Sequence, residues 1–104
     1  MAIQNYVEPE GFSLVRDLVG HGIGSSLWEE TEIPNYYDER KGIQPKIMAG
    51  MVFAIEPMVN IGKHGIKFLN DGWTVVTTDL LPSAHFEHTV VVTDNGPEIL
   101  TTGR

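Results

Sequence analysis

A chain of 104 residues with 41% hydrophobic and 20% charged side chains has the size and composition of one small globular domain, expected to span residues 1–104 as a single unit. Fourteen acidic against seven basic side chains give a net charge of −7, which repels phosphate backbones and anionic lipid, so neither nucleic acid nor membrane is an expected partner. The absence of cysteine removes disulfides, thiolate metal sites and a cysteine nucleophile, and leaves His, Asp and Glu as the side chains able to hold a metal.

In chain order, residues 2–7 read as the last turns of a helix ended by Pro9 and Gly11, while 12–18 fit a helix or a short strand equally well. Residues 29–46 (EETEIPNYYDERKGIQPK) are polar, carry two prolines and read as a long irregular connection. Ala49-Gly50 opens a strand over 51–56, and Pro57, which has no N–H for a ladder bond, implies a sheet edge or a bulge. A hairpin follows, with Ile66-Lys67-Phe68 and 73–78 joined at Asn70-Asp71-Gly72. The run 84–92 (AHFEHTVVV) alternates as one continuous strand, with Phe86, His88, Val90 and Val92 on one face and His85, Glu87, Thr89 and Val91 on the other. Asp94-Asn95-Gly96 then turns it into a second hairpin, and the two hairpins together read as a meander. No apolar run approaches the ~20 residues of a membrane span. The N-terminal MAIQNYVEPEG lacks the basic-then-apolar pattern of a signal peptide, so a cytoplasmic protein is expected.

Three side chains are out of place in an ordinary sheet. Glu56 and Glu87 sit within apolar sequence, where an unpaired buried carboxylate costs several kcal/mol, so each calls for a cation unless it lies on a solvated strand face. His21 lies in Gly20-His21-Gly22-Ile23-Gly24, where glycines allow positive φ and close backbone approach beside a ligand, or form only a turn. One imidazole and two carboxylates suit Mn, Fe, Co or Zn.

In their order and spacing, GHGIG, GMVFAIEPMVN, DGWTVVTTD and AHFEHTVVVTDNGPEIL resemble the signature segments of type I methionine aminopeptidases, within the pita-bread metallopeptidases that also include prolidases. The resemblance implies an α+β fold, the C-terminal half of a pita-bread domain, built mainly of curved antiparallel sheet with little helix. It also implies a site in which two aspartates, one histidine and two glutamates hold two divalent metals. His21, Glu56 and Glu87 match three of those five ligands, and a water of lowered pKa would attack the N-terminal peptide bond. The remaining aspartates belong to an N-terminal half that this sequence does not show. The family's second catalytic histidine, seven residues after His21, is here Trp28, which can neither supply nor accept the proton. Trp73 matches a residue walling the methionine pocket and Leu27 a position that often holds an aromatic there; each reads equally as core. His64, His85 and His88 do not fall at the missing histidine's spacing, and His88 reads as a hydrogen-bonded structural histidine.

The expectation is therefore a methionine aminopeptidase part, acting on N-terminal Met peptides or nascent proteins when completed and inactive alone. A second copy or a separate N-terminal chain would cover its open face. Two alternatives stand beside it: a non-catalytic pita-bread binding module, and part of another pita-bread hydrolase such as a prolidase.

Overall fold

Alternating apolar and β-branched side chains build the sheets of this chain, and among the described residues its α-helix lies at the start. The computed structural model describes residues 1–39 and 46–103. Helix α1 (Ala2–Val7) tightens into a 3₁₀ turn at Glu8–Glu10 and stops at Gly11, whose φ of 88° is the left-handed conformation that a residue without Cβ adopts at little cost. This is the helix end expected from Pro9 and Gly11. Of the two readings of 12–18, the strand holds, as the two residues of β1 (Ser13–Leu14). The remaining strands are β2 (Gly20–Ile23), β3 (Glu29–Ile33), β4 (Val52–Ile55), β5 (Met58–Asn60), β6 (Ile66–Phe68), β7 (Val75–Thr77), β8 (Ser83–His85), β9 (His88–Thr93) and β10 (Gly96–Ile99).

Among the described residues these strands form three antiparallel sheets, ordered β10-β9-β4-β2-β3, β1-β5-β8 and β6-β7. The expected irregular connection over 29–46 thus begins with a strand. As an edge strand, β3 is solvated along one side, so the polar composition that read as loop is compatible with pairing to β2. Residues 40–45 of that connection lie outside the described residues. Both hairpins form, but they do not make a meander: β6 and β7 pair only with each other, while β9 and β10 belong to the five-stranded sheet.

Two strands pass directly from one sheet to the next. Only Glu56-Pro57 separates β4 from β5, and only Phe86-Glu87 separates β8 from β9. In the larger sheet Ile55 stands opposite His88, and in the smaller one Met58 stands opposite His85. The register is the same on both sides of the break, so Glu56 falls opposite Glu87 within the joint. One backbone bond crosses it, from the Phe86 N–H to the Pro57 carbonyl at 3.3 Å. The continuous strand expected over 84–92 is therefore two strands, because Pro57 has no N–H to return to the facing chain and the ladder lapses there. For the same reason Pro57 marks neither an edge nor a bulge: β4 and β5 are interior strands of their sheets.

Among the described residues the buried apolar side chains are Leu14 and Val15 at the end of β1, Ala54 on β4 and Val90 on β9, with Asn60 fully buried on β5. Burying a Leu or Val contributes roughly 1.5–3 kcal/mol, so a few side chains close to the two joints carry the packing. Many large apolar groups are exposed, including Tyr6, Trp28 and, at a joint itself, Phe86.

Candidate metal centre

His21 on β2 stands opposite Ala54 on β4, and Glu56 follows Ala54 by two positions, so the imidazole and the carboxylate share one face of the sheet. Glu87 reaches the same face from across the joint. Ligand atoms of His21, Glu56 and Glu87 all lie within 4.8 Å of one another. β2 also shifts register against β3 between His21 and Gly22, a bulge of the kind that re-aims a side chain.

Of the two roles expected for the glycines around His21, close approach is found and positive φ is not. Gly20 needs its missing side chain, because a Cβ there would fall 2.1 Å from the Ala54 carbonyl oxygen. None of Gly20, Gly22 and Gly24 has a positive φ; Gly20 and Gly22 lie in the extended strand β2 and Gly24 in the bend that follows it.

Electrostatically the cluster leans negative, two carboxylates facing one imidazole. The buried His21 donates from Nδ1 to the Gly22 carbonyl at 3.0 Å, which leaves Nε2 as the nitrogen with the free lone pair in the neutral ring. That Nε2 faces Glu56 Oε2 at 3.3 Å. A lone pair directed at a carboxylate is repulsive until a proton or a metal ion lies between them. Burial first, and then the facing Glu87 carboxylate, push Glu56 above its ordinary value of 4.5, against the pull of His21 and His85. Two carboxylates opposite each other repel, and a divalent cation turns that repulsion into attraction. The donor set and its geometry therefore fit a metal. Glu87 itself is exposed, as on the solvated strand face that its sequence also allowed, while its carboxylate still reaches His21 and Glu56.

A cavity of about 700 Å³ opens beside the cluster, with Glu56, His85, Trp28, Trp73, Leu18 and Val75 among its walls. Trp73 is 87% exposed, so the core reading fails for it and the cavity wall remains. Its position follows from the β6–β7 turn, where Asp71 Oδ1 accepts from the N–H groups of Trp73 and Thr74 at 2.9 and 2.8 Å. Leu27 is exposed as well, so the core reading fails for it too, and it is not among the side chains lining this cavity. Trp28, at the position of the absent histidine, sets its indole 5.4 Å from the His21 ring at a 35° tilt. His88 contacts Thr101 Oγ1 through Nδ1 at 2.8 Å, away from the cluster, as a structural histidine does. The side chain that sequence reasoning passed over is His85, whose Nε2 stands 3.7 Å from Glu56 Oε1. The signal was present, since strand alternation alone puts His85 on the face of Glu87.

Residues 1–94 match the model of metallopeptidase family M24. The chain is 62% identical over 99 residues to the methionine aminopeptidase of Clostridium perfringens, covering 95% of this chain and 39% of that protein. To the methionine aminopeptidase of Escherichia coli K12 it is 54% identical over 100 residues, covering 96% of this chain and 37% of that protein. The crystal structure of the Thermotoga maritima methionine aminopeptidase superimposes with a TM-score of 0.87 at 49% identity, over 95% of this chain and 39% of that one. That of the Rickettsia prowazekii enzyme gives 0.88 at 44% identity, over 96% and 40%. The chain belongs to the M24 metallopeptidases and has the architecture of part of a pita-bread methionine aminopeptidase. It spans about two-fifths of the length of these relatives. Membership of the family implies use of a divalent metal, and no helix among the described residues is long and apolar enough to cross a membrane.

Proposed function

We propose that this chain supplies His21, Glu56 and Glu87 to the metal centre of a methionine aminopeptidase, which removes N-terminal methionine from peptides or nascent proteins by hydrolysis. The observation that carries the reading is the convergence of these three side chains, from β2 and the two sheet-to-sheet joints, on one face. A divalent ion bound there supplies a Lewis acid and lowers the pKa of the attacking water. His21 offers Nε2 because Nδ1 is committed to Gly22, and the paired carboxylates provide the negative charge. Imidazole and carboxylate donors suit Mn, Co, Fe or Zn. Trp73 and Trp28 wall the cavity with indole rings suited to a thioether side chain.

A second reading, a binding module without turnover, is favoured by one observation: Trp28 puts an indole, which donates but exchanges no proton, where the family resemblance calls for a histidine. The two aspartates implied by that resemblance would come from a separate N-terminal half, and the exposed apolar side chains fit either that half or a second copy. The reading implies a cytoplasmic location, where new chains carry N-terminal methionine.

Calorimetric titration of the metal-stripped chain with Mn(II) or Co(II), beside Glu87→Ala, tests the metal centre. Hydrolysis of a Met-Ala peptide, with and without an added N-terminal half carrying the aspartates, tests the reaction. Binding lost in Glu87→Ala, with hydrolysis only in the presence of the added half, is the expected result. Binding without hydrolysis in either case would favour the binding module, and no binding would overturn the metal centre.

A further inference from the structure

Glu56 stands between two imidazoles, one for each of its oxygens. His21 Nε2 faces Oε2 at 3.3 Å, and His85 Nε2 faces Oε1 at 3.7 Å. The register makes the arrangement symmetrical. His21 is opposite Ala54, two residues before Glu56, and His85 is opposite Met58, two residues after it, so the imidazoles meet the carboxylate along the two diagonals of the ladder. Only His21 belongs to the group whose ligand atoms lie within 4.8 Å of one another. His85 is half-exposed on the cavity wall, and the Phe86 N–H bond to the Pro57 carbonyl ties its strand end to the joint.

We propose that His85 is a positioning residue for Glu56, holding Oε1 from the side opposite His21 and so fixing the plane in which the carboxylate presents itself to a divalent cation. The inference rests on the metal-binding reading of His21, Glu56 and Glu87. Rotation about the last bond of a glutamate is broad and two-fold, so a carboxylate with a partner on one oxygen alone retains much of its freedom. An Nε2–H on the second oxygen removes it. The separation is slightly longer than a hydrogen bond, so a small turn of either side chain closes it. Groups that hold metal-ligating carboxylates and imidazoles in this way commonly change metal affinity by about 10–100-fold when removed. The role differs from that of the histidine replaced by Trp28, because His85 acts on the ligand and not on the peptide.

Mn(II) alone, titrated calorimetrically into the metal-stripped full chain, provides the test in wild type, His85→Ala and His85→Gln. Thermal unfolding without metal runs alongside, and nitrogen hyperfine coupling is measured on bound Mn(II). Affinity should fall by about tenfold or more in His85→Ala. It should recover most of the loss in His85→Gln, whose amide N–H reaches the same oxygen. The metal-free melts should coincide, since the side chain is half-exposed, and a single imidazole nitrogen, that of His21, should couple to the metal. Equal affinity in His85→Ala would overturn the proposal. So would a loss that glutamine does not restore, or coupling to two imidazole nitrogens, which would make His85 a ligand. Failure of the wild type to bind Mn(II) would instead overturn the metal-binding reading itself, and with it the proposal.

Discussion

Gly20→Ala tests whether the close approach of β2 to β4 sets the metal centre. The added Cβ would lie 2.1 Å from the Ala54 carbonyl oxygen and 3.3 Å from the Ile33 Cβ, whereas ordinary contact starts at 3.4 Å, so β2 must retreat by more than an ångström. A backbone carbonyl within a paired ladder cannot turn aside as a side chain would, and Ile33 closes the other direction. The cost should sit near the upper end for overpacking, roughly 3 kcal/mol, which lowers the melting temperature of a domain this size by roughly 10–20 °C. Because His21 is the next residue, its Nε2 moves off Glu56 with the strand and metal affinity falls as well. Gly22→Ala is the matched control. Its nearest neighbour is the Thr31 Cβ at 3.4 Å, so it should cost less than about 1 kcal/mol. Differential scanning calorimetry and Mn(II) titration of both variants give the comparison. A Gly20→Ala chain that melts with the wild type, or the two alanine variants losing equal stability, would refute the reasoning.

Three further outcomes follow from the site. Mn(II) at about a hundred times its Kd should stabilise the folded chain by about 2.7 kcal/mol, and Glu87→Ala should abolish the rise in melting temperature; a rise of equal size in that variant would remove Glu87 from the site. Glu56 lies above its ordinary 4.5, so between the ordinary and the raised value the folded metal-free chain keeps a proton that the unfolded chain has lost, and this group's contribution to stability falls as pH rises. Glu56→Gln should therefore gain stability relative to the metal-stripped wild type as pH climbs through that interval, and a difference in melts that stays flat or shrinks would contradict the assigned cause. Trp73→Ala, at a side chain 87% exposed, should change stability by less than about 0.5 kcal/mol while weakening the binding of a Met-Ala peptide to the completed enzyme; unchanged peptide affinity would take Trp73 out of the pocket.

Much of this arrangement was legible in the residues. The β-branched run at 90–92, the Asp-Gly and Asn-Gly turns and the stop at Gly11 gave strands, hairpins and the helix end from local chemistry alone. The two glutamates stand out because charge within apolar sequence needs a partner, and His21 because glycines flank it. What local reasoning could not supply was the change of sheet. Alternation continues unbroken from 84 to 92 because the register itself is unbroken, and only the missing N–H of Pro57, on a different strand, ends the pairing. β3 was hidden for a related reason, since an edge strand bears polar side chains that read as loop. Distance in sequence from His21 does not reveal His85, because its relation to Glu56 runs through the pairing of β8 with β5.

The unbroken register across the joint also bears on how the two sheets move. Since β4–β5 and β8–β9 run through both sheets as one two-stranded ribbon, the leaves can open relative to each other only by bending it where a single backbone bond crosses. Glu56 and Glu87 occupy that crease from its two sides, and His21 reaches it from the larger leaf. An ion gripped by all three would act as a fastener across the fold line, so that amide exchange in the smaller leaf slows together with exchange in the larger one, and occupancy of a few atoms becomes a property of the whole sheet pair.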